Sequence, residues 1–391
     1  MPDLVDFAAK LRELRDARGL SVRQLADRAY ISKSYIGMLE RGTRPPTSQI
    51  AQRLDDTLEA HGQLVGMVDS AKPAPPAVAD LNGKSAVDLA EPMGANDIEH
   101  LHETVRHLVA LDTAHGSAGL HITALAAFNA NRDRLARVGA RNPDHADVHA
   151  AVAEVGEVAA WLAYDSDQQE DSRRAATEAL LIAQRAGDTS MARFLSSHLS
   201  MQATYLGQGA EGLAIADQVI AEQPRSKRVV GLMRVRRARA LARLGDGQRA
   251  LAEFNLARRE LSGGIGPDDP GWTWWLHTAE LAVHESRIRS LAGDGPGAVA
   301  WSEQAVQALP ARQGRDQVLY RAWLISDLVD VHGWREVDDV VGQLLDTAAA
   351  GSSARVPRIL RAASRRASRA SAPSWLVDSL HDAVEASSQA T

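Results

Sequence analysis

The stretch SVRQLADRAYISKSYIGMLERG, residues 21–42, constrains the chain more than any other. Ser21 stands three residues before Gln24, the spacing of a reciprocal capping box, so a helix starts there. Leu25 and Ala26 give that helix a small apolar inner face, and Tyr30-Ile31 breaks the pattern. Ser32 is placed to cap a second helix whose apolar side is Ile36 and Leu39 and whose end is Gly42. Two short helices joined this way have the spacing of a helix-turn-helix. Lys33, Ser34, Tyr35 and Met38 then face outward from the first turns of the second helix.

The flanks complete a small helical domain. Residues 3–18 carry Leu4, Phe7, Ala8, Leu11 and Leu14 at helical spacing, and Gly19 ends the run. Residues 47–60 start at Thr47 after Pro45-Pro46, with Ile50, Leu54 and Leu58 on one face. Three motifs stand out: an L-S-x-x-x-L-A opening (Leu20, Ser21, Leu25, Ala26), an S-x-S-x-I helix start (Ser32, Ser34, Ile36) and an L-E-R-G-x-R-x-P close (Leu39, Glu40, Arg41, Gly42, Arg44, Pro46). On these, residues 4–66 resemble the Cro/lambda-repressor type of DNA-binding domain, the XRE family.

The resemblance implies a reading helix in the major groove and a buried ion pair that seats it. The matching residues are Arg15 and Glu40, and deleting one partner of a buried pair costs on the order of 3–5 kcal/mol. The family often has Gln where this chain has Val22, touching a phosphate and bracing the first base contact. Val22 cannot do that, so the reading helix is braced differently. The candidate DNA-binding residues are Ser21, Arg23, Ser32, Lys33, Ser34, Tyr35, Met38, Arg41 and Arg44. Lys33 and Ser34 are placed for base or phosphate contact. Tyr35 and Met38 either face thymine methyls or pack under the helix. Arg41 and Arg44 sit in the following loop, suited to a phosphate or the minor groove.

Composition bounds the rest. The 391 residues are 45% hydrophobic but only 4% aromatic, which favours helix over strand. With no cysteine there is no disulfide framework, thiol nucleophile or cysteine zinc site. No apolar run of about 18 residues marks a membrane span, and MPDLVDF opens a helix rather than a signal peptide, so a cytoplasmic protein is expected. No phosphate loop, nucleophile elbow, metal motif or catalytic carboxylate pair is present, so neither an enzyme nor a bound cofactor is expected. Residues 1–68 hold ten basic and nine acidic residues within a chain of net charge −6. The acids Asp55, Asp56 and Glu59 belong to the last helix of that segment, away from DNA. So weak a field predicts modest affinity for one domain, and hence a dimer.

Residues 69–95 read as a linker, broken by Pro73, Pro75, Pro76 and Pro92. As flexible coil they span roughly 30 Å. Beyond them, 96–388 reads as helix, turn, helix throughout, an all-α architecture: a five-helix domain at 1–68 tethered to a helical array. In 231–262, Gly245-Asp246 is followed by Ala250, Phe254 and Ala257; in 279–310, Gly293-Asp294 is followed by Ala298, Ser302 and Ala305. These intervals resemble the tetratricopeptide (TPR) repeat. Fainter copies lie at 192–223, 153–186 and 319–349, with a capping pair near 355–388. The combination resembles a class of actinobacterial regulators, in AAWLAYD (159–165), ALLIAQRAGD (179–188) and ATYLG (203–207), and also peptide-responsive regulators that join the same two modules.

Those resemblances imply a transcription factor whose array dimerises, binds an effector, or both. By the TPR register Met201, Tyr205, Arg239, Arg243, Arg287 and Trp323, with Ser197 and Asp327, point into a concave groove. Inward arginines suit a carboxylate such as a peptide C-terminus, unless local acids pair with them. Arg355, Arg358, Arg361, Arg365, Arg366 and Arg369 form a second basic cluster, read as a solvated face or as partners for acids of a neighbouring repeat. His100, His102 and His107 near Glu99 and Glu103 lack metal-ligand spacing. Trp272, Trp274 and Trp275 read as packing between repeats. The leading expectation is a homodimeric regulator of double-stranded DNA, repressing by promoter occlusion, with a peptide, small molecule or partner protein as effector. The alternative is a TPR adaptor with accessory DNA binding.

Overall fold

The structure is a computed structural model and describes residues 4–29, 33–41, 46, 48–58, 60–69, 93–117, 119–138, 145–309, 314–347 and 353–389. Among the described residues the regular structure is all helical. Internal packing divides it into two units, one holding Met1–Val87 and the other Asp88–Ser262 and Asp268–Thr391.

The first unit contains α1 (Leu4–Ala17), α2 (Val22–Ala29), α3 (Lys33–Glu40), α4 (Ser48–Thr57) and α5 (Gln63–Asp69). Gly19, at φ 64°, turns the chain after α1. Ser21 and Gln24 then form the reciprocal cap: Ser21 N donates to Gln24 Oε1 at 2.9 Å, and Gln24 N to Ser21 Oγ at 3.2 Å. Phe7, Leu11, Leu25, Ile36, Leu39, Leu54, Leu58 and Leu64 close into one core.

Asp55, placed by the sequence only on a helix away from DNA, has a structural task. It is 3% exposed and accepts from Gly62 N at 2.6 Å, Leu64 N at 2.7 Å and Val65 N at 3.2 Å. One carboxylate on α4 therefore satisfies the otherwise unpaired donors at the start of α5. The turn between them places His61 at φ 52° and Gly62 at φ 86°. Asp55→Ala should destabilise α5 by about 2–3 kcal/mol, the range for hydrogen bonds to a charged acceptor. Hydrogen exchange in the full-length protein checks this: the Leu64 and Val65 amides should exchange faster while those of α1 keep most of their protection.

The second unit runs α6 (Ala95–His115), α7 (Leu120–Val138), α8 (His145–Asp165), α9 (Gln169–Ala186), α10 (Thr189–Tyr205), α11 (Gly209–Ala221), α12 (Lys227–Arg243), α13 (Gly247–Leu261), α14 (Thr278–Leu291), α15 (Gly295–Ala308), α16 (Gly314–Asp330), α17 (Trp334–Thr347), α18 (Arg355–Arg369) and α19 (Ser374–Gln389). The end of the segment read as linker belongs here. Met93 is buried in the core of this unit, and Gly94 N donates to Asp97 Oδ2 at 2.9 Å to start α6.

From α8 to α17 each helix packs on the next, α18 packs on α16 and α19, and α8 on α10, α10 on α12 and α12 on α14, so the first helices of successive pairs form an inner layer. The small residues at repeat spacing are buried between paired helices: Ser172, Ala176 and Ala179; Gly212, Ala216 and Val219; Ala250, Phe254 and Ala257; Ala298, Ser302 and Ala305. The turns use a G-x-G device. Gly245 takes φ 86°, Asp246 caps α13 through Arg249 N, and a β-carbon on Gly247 would lie 2.7 Å from the Ala292 Cβ of the next pair. Gly293–Gly295 repeats it against Val331, and Gly207–Gly209 against Leu244. The second glycine therefore fixes how closely adjacent pairs stack.

Two features fill the inner side. The connection after α13 forms a 3-10 turn, Gly271–Trp275, that lies against α10: the Trp272 ring stacks on Phe194 at 4.2 Å, and Trp272 Nε1 donates to Ser190 Oγ at 3.0 Å. Buried Arg228 holds this turn by donating to the Thr273 and Leu276 carbonyls at 2.9 and 2.7 Å. Further on, the end of α8 meets the starts of α16 and α18. Asp165, fully buried, accepts from Ser117 and Ser353 hydroxyls at 2.8 Å each and lies 2.6 Å from both Arg315 Nη2 and Arg355 Nη2. Trp161 and Tyr164 pack beside these guanidinia, with Arg355 4.9 Å from the Tyr164 ring. The array thus closes across nearly 200 residues of sequence on one carboxylate.

Candidate nucleic-acid interface

The seating of α3 begins with Ile36 and Leu39, whose side chains are buried in the first-unit core. Its C-terminal end is tied to α1 by charge. Arg15 Nε lies 2.5 Å from Glu40 Oε1 and Arg15 Nη2 donates to Glu40 Oε2 at 3.1 Å, a bidentate pair with Glu40 only 7% exposed. Arg15 Nη1 also donates to the Leu20 carbonyl at 2.9 Å, and Arg12 donates to the Glu40 carbonyl. The Glu40 hydrogen bond pushes the Arg15 guanidinium further up. The structure thus brings together the two residues the resemblance pairs. Because Glu40 faces inward, its charge is neutralised internally by Arg15.

Val22 is half-buried against the core, so a methyl contact within the unit stands where the family's Gln would reach outward. Ser21 is exposed and its hydroxyl is engaged in the cap; Arg23 is exposed on the same helix. Arg41 is exposed just after α3, and its guanidinium lies along the Gly37 backbone, 3.1 Å from where a β-carbon would stand. Any larger residue at Gly37 would push that guanidinium aside. The backbone of Lys33, Ser34, Tyr35 and Met38 lies on α3, in its first two turns, but their side chains fall outside the described residues, as do Ser32 and Arg44 entirely. A helix seated by its far half, with its first turns carrying one Lys, one Ser and one Tyr, has the polarity of a major-groove reader.

The expected effector groove requires correction. Met201, Tyr205, Arg239, Arg243, Arg287 and Trp323 do not line one open channel. Arg287 is 6% exposed, paired with Asp327, hydrogen-bonded to Ser286 and stacked 4.4 Å from the Trp323 ring. Tyr205 is edge-on to Tyr164 at 5.4 Å and beneath Arg358 at 4.9 Å. Arg243 is exposed at the end of α12 against Gly207. Met201 joins Trp161, Tyr164 and His198 around a gap too small for a water molecule. The physical cause is that local partners claim these side chains: Asp327 takes Arg287, and Tyr164 and Arg358 enclose Tyr205. Residues that the sequence reading passes over complete this interior: Arg236, Glu280, His284 and Tyr320. Glu280 and His284, four apart on one helix, are the available signal.

The second basic cluster divides. Arg355 is buried on Asp165, Arg358 pairs with Asp167 at 3.0 Å, Arg366 with Asp330 at 2.6 Å, and Arg361 donates to Ser388 Oγ at 3.1 Å. Arg365 and Arg369 are exposed. His102 lies 3.4 Å from Glu154, and among the described residues no group of three His, Asp or Glu is arranged to hold a metal ion. None of the described helices is long and apolar enough to cross a membrane.

No curated protein matches this sequence. The crystal structure of Bacillus thuringiensis PlcR in complex with the peptide PapR7 and DNA is similar over 77% of this chain and 95% of that one, at 12% identity and a TM-score of 0.33. Residues 6–66 match a family of helix-turn-helix domains, so the first unit is a helix-turn-helix domain.

Proposed function

We propose that this chain is a sequence-specific transcriptional regulator that reads DNA as a dimer through α3, entering the major groove with Ser32, Lys33 and Ser34. The single observation that supports it is the seating of α3 by Ile36, Leu39 and the Arg15–Glu40 pair, within residues that match a helix-turn-helix family. Arg23 and Arg41 flank the groove contact and Arg44 follows it, suited to phosphates that fix register. The helical array acts as a binding scaffold of TPR type that pairs two copies and receives an effector, without enzymatic chemistry.

Two-fold pairing places half-site centres about 10 bp apart or at a multiple of that spacing. Genomic DNA captured by the full-length protein should therefore contain an inverted repeat. Lys33→Ala with Ser34→Ala should weaken binding to that site by about 1–3 kcal/mol for each base-edge hydrogen bond removed, measured by fluorescence anisotropy at fixed salt. Captured sequences without a dyad, or unchanged affinity in a folded double variant, would remove this function.

A further inference from the structure

Charge is unevenly paired inside the helical array. Arg287 has Asp327. Arg236, 3% exposed on α12, has no carboxylate partner among the described residues: its Nε donates to the Ser197 hydroxyl at 3.1 Å and its guanidinium lies 5.9 Å from the Trp275 ring. Arg239, three residues on, places Nη1 3.1 Å from His284 Nδ1, and its buried Nε has no hydrogen-bond partner. Burial pulls both guanidinia down to about 10, and for Arg239 the charges of Arg287 and Arg236 add to it. Burial also pushes the His284 ring down to about 4 against the pull of Glu280, so at neutral pH that ring is uncharged. The charge of Glu280 acts on both guanidinia, but Glu280 itself lies 3.3 Å from His284 Nε2 and accepts the Tyr320 hydroxyl at 2.6 Å. Of the three guanidinia, Arg287 alone has a carboxylate partner among the described residues. Arg239 and Glu280 keep partial exposure at the edge of this cluster.

A desolvated guanidinium without a counter-ion is costly, and its fork geometry fits a carboxylate. We propose that Arg236 and Arg239 form a binding site for one carboxylate group of a small ligand or peptide end, with the Ser197 hydroxyl and the His284 ring fixing the two guanidinia. The site specifies the effector chemistry of the array and presupposes the regulatory role proposed above. An incoming carboxylate supplies the counter-ion that neither guanidinium has and displaces no existing ion pair. Arg287, which the repeat register points into the groove together with Arg239 and Arg243, is already committed to Asp327.

All eight tryptophans lie between residues 161 and 375, so tryptophan fluorescence of the full-length protein reports the array. Thermal unfolding is followed with N-acetylglycine as a peptide-end probe, propionate as a plain acid and N-acetylglycinamide as the neutral counterpart, at matched ionic strength. The acids should raise the midpoint and the amide should not; a response to N-acetylglycine alone assigns a peptide end, and a response to both acids assigns the carboxylate itself. Arg239→Gln, and separately Arg236→Gln, should weaken the acid response about tenfold or more while leaving the unliganded midpoint unchanged or higher, because an unpaired buried charge has gone. Equal shifts with acid and amide, or a full acid response in both variants, would overturn the site. A carboxylate shift that leaves operator occupancy untouched keeps the site and removes the effector role.

Discussion

Asp165→Ala should lower the stability of the helical array by about 3–5 kcal/mol, the cost of stranding buried charges. Asp165 is fully buried and accepts from two serine hydroxyls and two arginines. Without it Arg355 keeps no carboxylate among the described residues, while Arg315 keeps Asp112 at 3.2 Å. Burial by itself would raise the Asp165 pKa, but the Arg315 and Arg355 guanidinia and the Ser117 hydroxyl outweigh it and hold the carboxyl far below the usual carboxylate range. The sign of the pH dependence follows. The folded carboxyl binds its proton less readily than the unfolded one, so its contribution is complete above the unfolded value of about 4 and disappears as pH falls toward the folded value. Urea unfolding read by tryptophan fluorescence should show the full loss at pH 7 and a shrinking difference from the parent protein in acid. A loss under about 1 kcal/mol at pH 7, typical of exposed pairs, would mean that the closure between α8 and α18 contributes little.

Glu40→Ala should cost the helix-turn-helix unit a similar amount, about 3–5 kcal/mol, with a larger functional consequence. A unit of this size holds only about 5 kcal/mol in total, so much of the population would lose the seating of α3. Operator affinity should then fall steeply while the tryptophan signal of the array is unchanged. Arg15→Met combined with Glu40→Leu separates seating from charge. It replaces the pair with apolar volume, and the Ile36 and Leu39 amides should regain protection from exchange. If Glu40→Ala binds DNA like the parent protein, α3 is held by Ile36 and Leu39 alone.

Local chemistry is legible in the sequence because its partners are near in the chain. The Ser21–Gln24 cap spans three residues, and the small residues following Gly245 and Gly293 recur at fixed intervals that only a helix pair satisfies. The apolar face of Ile36 and Leu39 follows from helical period. Arg15 with Glu40 comes from resemblance, since nothing in a separation of 25 residues announces an ion pair. The cap that Asp55 makes is not legible because its partners lie seven to ten residues on, across a turn whose left-handed residues are His61 and Gly62.

The sequence by itself determined that the chain is helical, where its turns fall, and which side of each helix is small enough to pack. Tertiary structure alone decided which charges meet. Helix pairs each add a small rotation, and only their accumulated sum brings Asp165 to Arg315 and Arg355, while stacking of adjacent pairs commits Arg287 to Asp327. The same sum leaves Arg236 and Arg239 without a carboxylate of their own, because electrostatic pairing depends on distances that no local pattern encodes.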